Sequence, residues 1–152
     1  MWTRFQPAVV RARELIASGA IGSVRSVKAD LGVVRDYDPA DPRSAYELGS
    51  GALLDLGVYL ASFAQMVLGA PTRVTSNGSL EPSGVDAEAS LLVEFEGGCT
   101  ATLMCSLHSP TPSHARIIGT AGWIDVPCFH HPDIIVLHRH GAEPEKLTLP
   151  PL

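Results

Sequence analysis

A carboxylate, a phenol and a hydroxyl recur at helical spacing within an otherwise apolar stretch of the chain. Asp55, Tyr59 and Ser62 stand at i, i+4 and i+7, so on an α-helix they fall within one narrow stripe near Gly51. Unpaired polar groups on a buried helix are costly, so the stripe requires a reason. It predicts either the wall of a cleft, where Tyr59 transfers a proton and Asp55 orients a partner, or a core helix whose polar groups bond locally.

The segment Gly49-Ser50-Gly51 stands directly before this stripe. It is not a phosphate-binding Gly-x-Gly-x-x-Gly loop, because no strand leads directly into it and no strand–helix alternation follows. Its glycines favour either close approach of the backbone at a helix N-terminus or a turn with positive φ.

The chain has six histidines, of which His130 and His131 are adjacent and His138 and His140 would share one face of a strand. A metal site needs three or four converging ligands, which this pattern does not supply. We therefore predict no metal site and assign these histidines to loops or to the surface.

A third group of candidate residues stands at the N-terminus, where Trp2, Arg4 and Phe5 precede a predicted helix. They indicate either an aromatic wall and a cation beside a ligand, or a hydrophobic staple with a solvated arginine.

The elements that must position these residues follow from hydrophobic periodicity and from Gly and Pro punctuation. Helices are predicted at 7–18 and 51–68. Strands are predicted at 24–34, 72–80, 86–95, 99–108, 115–118, 123–126, 134–138 and 146–149. This order predicts an α+β fold, a mostly antiparallel open sheet with two main helices packed on one face. The opposite face, which carries Thr100, Thr102 and Met104, would be solvated or would meet a partner.

Composition excludes several classes of function. The 152 residues correspond to one domain, and a net charge of −5 without a basic stripe argues against a nucleic-acid partner. The apolar stretch 51–68 is interrupted by Asp55, Ser62 and Gln65, so we predict no membrane span, and no signal peptide is recognisable. The three cysteines form no C-x-x-C pair, which argues against a disulfide framework and favours a cytoplasmic location.

Three stretches together carry a family resemblance: MWTRFQP at 1–7 with ASGAIG at 17–22, GSGALLDLGVY at 49–59, and IGTAGWIDVP at 118–127. In this order and spacing they resemble the C-terminal domain of the Gfo/Idh/MocA (glucose–fructose oxidoreductase / inositol dehydrogenase) family, and most closely its dihydrodiol dehydrogenase-like branch. The resemblance extends over nearly the whole chain.

The resemblance implies an NAD(P)-dependent dehydrogenase of two domains. The last residue of the middle motif, Tyr59, would be the catalytic acid/base, and Asp55 the helical carboxylate beside it. Trp2 and Arg4 match a segment that borders the substrate and the nicotinamide. Arg43 and Tyr46, in the loop before the helix, are further candidates for substrate contact, whereas Ser50 replaces a family glycine.

The resemblance also implies a nucleotide-binding Rossmann domain with a Glu-Lys-Pro motif, whose lysine would favour the phenolate of Tyr59. Neither feature occurs in these 152 residues. We therefore expect residues 1–152 to be a single C-terminal substrate-binding and dimerisation domain, inactive alone, with NAD or NADP bound in the full-length protein. Its small-molecule substrate would be a sugar, a polyol or a dihydrodiol. The alternative is a dimerisation or ligand-binding module without catalytic activity.

Overall fold

The computed structural model describes residues 1–150, which form two α-helices and eight strands. The α-helices are α1 (Pro7–Ala17) and α2 (Val58–Leu68). The strands are β1 (Val24–Gly32), β2 (Pro71–Leu80), β3 (Asp86–Phe95), β4 (Thr100–Ser106), β5 (Ala115–Gly119), β6 (Gly122–Val126), β7 (Ile134–Arg139) and β8 (Glu145–Thr148). Short 3-10 helices occur at Trp2–Phe5, Pro42–Ser44, Tyr46–Leu48 and Glu96–Gly98.

The strands form one open sheet in the order β2-β3-β4-β1-β5-β6-β7-β8. Only the central pair of β1 and β4 is parallel among the described strands, and the other six pairs are antiparallel. The predicted α+β class with a mostly antiparallel sheet is therefore confirmed.

One face of the sheet forms the hydrophobic core together with both helices. In β3 the residues of one face, such as Val93 and Phe95, are buried, as period-2 alternation predicts. Leu60 and Phe63 of α2 and Val9 of α1 are buried in the same cluster. Full burial of such a side chain contributes about 1.5–3 kcal/mol.

The helix predicted at 51–68 is not uniformly α-helical. Residues Leu53–Gly57 form a π-helical turn that continues into α2, so the prediction of a regular α-helix is wrong over this turn. A side chain at Gly57 would crowd Leu53 and the Sγ of Cys105, at 3.2 and 3.3 Å from its Cβ. Glycine thus allows this turn to lie close against β4.

Asp86, at the start of β3, caps the N-terminus of this helix. Its Oδ2 accepts a hydrogen bond from the backbone N–H of Leu53, which satisfies one of the free donors there. Gly51 has a φ of +119°, and any side chain at this position would collide with the Asp86 carboxylate. Of the two interpretations of segment 49–51, the turn with positive φ is observed, since the φ of Gly49 is +70°.

The segment Tyr46–Leu68 is long and apolar enough to cross a membrane by length and composition. In this fold Leu60, Phe63 and Ala64 of the segment pack into the core. Within this fold 39% of its most apolar window is buried.

Candidate active site

Tyr59, the second residue of α2, lies half-buried beside the N-terminal 3-10 helix. Its hydroxyl accepts a hydrogen bond from Nε1 of Trp2 at 3.3 Å. The indole of Trp2 remains 38% exposed, so one side of this pair is open to solvent. The N-terminal aromatic residue and the helical phenol, 57 positions apart in sequence, therefore form one group.

Two histidines complete this group. The turn between β6 and β7 brings His130 to 4.4 Å from Tyr59 and His131 to 4.4 Å from Trp2, measured between ring centroids. We name Trp2, Tyr59, His130 and His131 the ring cluster. Burial lowers the pKa of His130, and the neighbouring His131 lowers it further, so at neutral pH its imidazole is uncharged.

Asp55 lies in the π-helical turn and forms an ion pair with Arg35. Nη2 of Arg35 is 2.6 Å from Oδ2 of Asp55, and the side chains are 24% and 47% exposed. The backbone N–H of Arg35 donates to the carbonyl of Leu107, which fixes the chain directly after β1. The alternative in which Asp55 bonds the preceding turn through its side chain is not observed.

A cavity of about 230 Å³ adjoins this ion pair. It is lined by Arg35, Arg43, Gly49, Ser50, Gly51, Leu54 and Asp55. Its walls present a carboxylate and two guanidinium groups. Such a mixture can accept hydrogen bonds from hydroxyl groups and donate to their oxygens.

The loop residues Arg43 and Tyr46 differ in their placement. Arg43 lines this cavity and holds Asp41, with Nε 2.9 Å from Oδ2. Hydrogen bonds from the side chain and the backbone N–H of Arg43 lower the pKa of Asp41 to about 2. Tyr46 is 67% exposed and is not among the described residues that line the cavity.

The structure divides the predicted polar stripe between two places. Asp55 lines the cavity described above, whereas Tyr59 and Ser62 border a small crevice with Arg4. The physical reason is the π-helical turn, which contains more residues per turn than an α-helix and so changes the angular spacing between Asp55 and Tyr59. The carboxylate and the phenol remain neighbours in sequence, but they line these two different cavities.

Sequence reasoning missed Arg35 and the role of His130. Arg35 follows a strand without any motif around it, and its contact with Asp55 spans 20 positions. His130 was weighed as a metal ligand and then assigned to a loop or to the surface. The one sequence signal that could have indicated His130 is its position, because it is the third residue after the third motif stretch.

Within residues 1–150, no group of three or more His, Cys, Asp or Glu side chains is arranged to hold a metal ion. His138 instead lies 3.1 Å from Asp125, measured from its Nε2 to Oδ2.

Comparison with known proteins gives a consistent set of relatives. The model of the GFO/IDH/MocA C-terminal domain matches residues 9–125. The chain is 31% identical over 145 residues to the trans-1,2-dihydrobenzene-1,2-diol dehydrogenase of Mus musculus, covering 94% of this chain and 43% of the relative.

Solved structures agree with this result. The aldose-aldose oxidoreductase from Caulobacter crescentus complexed with glycerol has a TM-score of 0.87 and 26% identity, covering 99% of this chain and 47% of that one. An inositol dehydrogenase homolog from Azotobacter vinelandii complexed with NAD+ shares the fold, with a TM-score of 0.84 at 18% identity, covering 96% of this chain and 42% of that one.

The chain spans less than half the length of these relatives. The family match nevertheless covers most of its residues, and the neighbouring structures share its sheet and helices throughout. The chain therefore belongs to the GFO/IDH/MocA C-terminal domain family.

Proposed function

We propose that this chain is the substrate-binding domain of an NAD(P)-dependent oxidoreductase that interconverts a CH–OH group and a C=O group. Its substrate is a sugar, a polyol or a dihydrodiol. The observation that carries the proposal is the half-buried hydroxyl of Tyr59, which accepts a hydrogen bond from Trp2. The helical turn directly before Tyr59 carries Asp55, which is paired with Arg35. The family to which the chain belongs, with its dehydrogenase relatives, supports the same reaction class.

Tyr59 is the proton-transferring group of this proposal. Its phenolate oxygen takes the proton of the substrate hydroxyl during oxidation, and the phenol so formed returns a proton to the carbonyl oxygen during reduction. The indole N–H of Trp2 orients that oxygen by donating a hydrogen bond to it. Ser62 and Arg4 border the same crevice and limit the poses that a substrate can adopt there.

Asp55, Arg35 and Arg43 bind the remaining hydroxyl groups of the substrate. The free oxygen of Asp55 accepts hydrogen bonds, while the two guanidinium groups donate. The pair with Arg35 keeps the carboxylate in place, since an exposed unpaired side chain would be free to rotate. Tyr46 precedes the 49–51 segment of the cavity wall and is a further candidate for contact with a bound substrate.

The residues present fit the nicotinamide end of a dinucleotide but not its phosphates. The partly exposed indole of Trp2 offers an aromatic surface and Arg4 a cation, next to Tyr59. The sequence contains no glycine-rich phosphate loop, so we assign the phosphates to a nucleotide-binding domain outside these 152 residues. When bound, NAD or NADP supplies the hydride acceptor or donor.

The test is the substitution Tyr59→Phe in the full-length enzyme that contains this chain. We expect turnover to fall by about 10²-fold or more, the usual contribution of a general acid/base, with the protein still folded. Tyr37→Phe is the matched control and should leave turnover unchanged. Full turnover of the Tyr59→Phe enzyme on its best substrate would reject the assignment.

We also propose that the open face of the sheet joins two copies of the chain. Thr100, Thr102 and Met104 alternate with core residues and so lie on the face opposite the helices, where Leu92 is 47% exposed. A module without catalytic activity would use the same face. Analytical ultracentrifugation at micromolar concentration should detect a dimer that Thr102→Arg weakens, and a wild-type monomer would contradict this proposal.

The free cysteines favour a cytoplasmic location.

A further inference from the structure

The ring cluster brings three separate parts of the chain to the Tyr59 phenol. Trp2 comes from the N-terminal 3-10 helix, Tyr59 from α2, and the two histidines from the turn between β6 and β7. The ring of His130 stands edge-on to Tyr59 with an interplanar angle of 88°, and its centroid is 5.1 Å from that of Trp2. His130 thus contacts both members of the Trp2–Tyr59 hydrogen bond.

The turn that carries His130 is anchored to the same helix as Tyr59. Phe129 is fully buried, and its ring lies 5.5 Å from Phe63, which follows Tyr59 by one turn of α2. The backbone N–H of Phe129 donates to the carbonyl of Ser113 at 2.8 Å. These contacts fix the backbone beside His130, so the imidazole can leave the phenol only by rotation of its own side chain.

His130 carries a cost that an apolar ring at this position would avoid. Its Nε2 is buried and has no hydrogen-bond partner within the described residues. Such groups are rare in folded proteins because burial removes their water without replacing it. A phenylalanine would make the same edge-on contact without this cost, so the imidazole itself requires a role.

The titratable groups around this ring are few. Tyr59 faces it from α2 and His131 from the same turn, and Arg4 borders the crevice beside Tyr59. No carboxylate in the described residues pairs with His130. A protonated imidazolium would therefore hold a charge and a buried N–H without compensation, and it would have to leave the contact to reach water.

We infer that His130 is a positioning residue for Tyr59, whose ring holds the phenol in the orientation in which Trp2 donates to its oxygen. This inference rests on the proposed role of Tyr59 in proton transfer. It adds a regulatory consequence, because protonation of His130 releases the phenol and lowers the rate in acid.

The first experiment observes Tyr59 directly, without any catalytic assay. The chain has three tyrosines, so a chain labelled with ¹³C at the ring ε carbons gives three signals, of which Tyr59→Phe identifies one. We expect His130→Ala to move the Tyr59 signal toward those of Tyr37 and Tyr46, and His130→Phe to leave it near the wild-type position. His140→Ala, at an exposed histidine outside the ring cluster, is the control and should leave the signal in place.

Acidification distinguishes the imidazole of the wild type, which can be protonated, from the phenyl ring of His130→Phe, which cannot. Between pH 7.5 and 5 the Tyr59 signal of the wild type should move, whereas that of His130→Phe should stay. Unchanged Tyr37 and Tyr46 signals would show that His130→Ala is folded. If His130→Ala does not fold, the pH comparison between the wild type and His130→Phe still tests the inference. If the position of the Tyr59 signal changed neither in His130→Ala nor with pH in the wild type, the inference would be overturned.

The second experiment measures kcat and KM in the full-length enzyme. We expect His130→Ala to lower kcat by about 10-fold with little change in KM, because a misplaced catalytic group affects the reacting geometry more than substrate binding. His130→Phe should keep kcat at neutral pH and retain activity further into acid than the wild type does. If kcat fell at the same acidic pH in the wild type and in His130→Phe, the proposed effect of His130 protonation on the rate would be contradicted.

The two experiments separate the inference from the proposed function. Signal changes without any dependence of turnover on Tyr59 would leave positioning intact and refute the proposed catalytic role. Loss of turnover in Tyr59→Phe, together with an unresponsive Tyr59 signal in His130→Ala, would refute positioning alone.

Discussion

Two clusters of this domain use the same residue types in opposite ways. The ring cluster combines a tryptophan with two histidines around Tyr59. A second cluster, which we name the Asp125 cluster, combines Trp123, His114, His138 and Arg116 around Asp125. The first lies beside α2, whereas the side chains of the second alternate with the core residues of β5, β6 and β7 and so lie on the open sheet face.

In the Asp125 cluster, the surrounding nitrogen atoms all contact one buried carboxylate. Arg116 donates to both oxygens of Asp125, Nε1 of Trp123 lies 3.2 Å from Oδ2, and both histidines are within 3.2 Å. The rings of Trp123 and His138 also stack at 4.5 Å. Asp125 is only 8% exposed, so its charge is compensated by the protein rather than by water.

The ring cluster lacks such a carboxylate. Tyr59 receives one hydrogen bond from Trp2, and Nε2 of His130 receives none from the described residues. Complete pairing stabilises a fold, whereas incomplete pairing leaves a group free to meet a ligand or to exchange a proton. The comparison therefore favours a structural role for the Asp125 cluster and supports the proposed proton transfer at the ring cluster.

Removing the central carboxylate should have the largest effect on stability. Asp125→Ala leaves the half-exposed Arg116 and its neighbours without their partner, and we expect the free energy of unfolding to fall by about 1.5–3 kcal/mol. Urea denaturation of the chain measures this loss, and Asp133→Ala, at an exposed position, is the matched control. A loss below about 1 kcal/mol would remove the contrast between the two clusters.

Two ion pairs of the same chemistry give a finer comparison. The side chains of Asp125 and Arg116 are 11% and 44% exposed, whereas those of Asp55 and Arg35 are 47% and 24% exposed. Because Arg116 donates to both oxygens of Asp125 and Arg35 to one oxygen of Asp55, double-mutant cycles with alanine should give a coupling energy of about 2 kcal/mol for the first pair and less than about 1 kcal/mol for the second. Equal coupling energies would indicate that Asp55 is held for stability and not for substrate.

Local patterns predicted most of the fold. Alternation along residues 86–95 predicts β3 with its bounds, and Gly97-Gly98, both with positive φ, predicts the tight connection that follows it. Such features depend on neighbours in sequence, so a single sequence contains them. Helical spacing singled out Asp55 and Tyr59, and the family resemblance added the expectation that Tyr59 is the catalytic acid/base.

The remaining features depend on distant residues. The parallel pairing of β1 with β4 joins segments about 74 positions apart, and no periodicity indicates it. His130 meets Tyr59 across 71 positions, and the π-helical turn at Leu53–Gly57 depends on how the helix packs over Cys105. Contacts of this kind are decided by tertiary packing, which local spacing does not record.

The smallest expected effect is the pH dependence that His130 gives to stability. Burial lowers the pKa of His130 below its ordinary value of 6.5, so near and below that pH the unfolded chain binds a proton that the native chain does not. The stabilising contribution is therefore complete above pH 6.5 and is lost as pH falls through the lowered pKa of the native state.

Replacing the imidazole should remove this dependence. His130→Phe should lose less stability than the wild type when urea denaturation is repeated at pH 7.5 and at pH 5. His140→Phe, at an exposed histidine, is the control and should follow the wild type. Because the other ionisable groups are common to all three proteins, the difference between their pH dependences isolates His130. If His130→Phe and the wild type lost stability equally, the imidazole would be as well compensated as the Asp125 cluster, and the contrast between the two clusters would rest on Tyr59 alone.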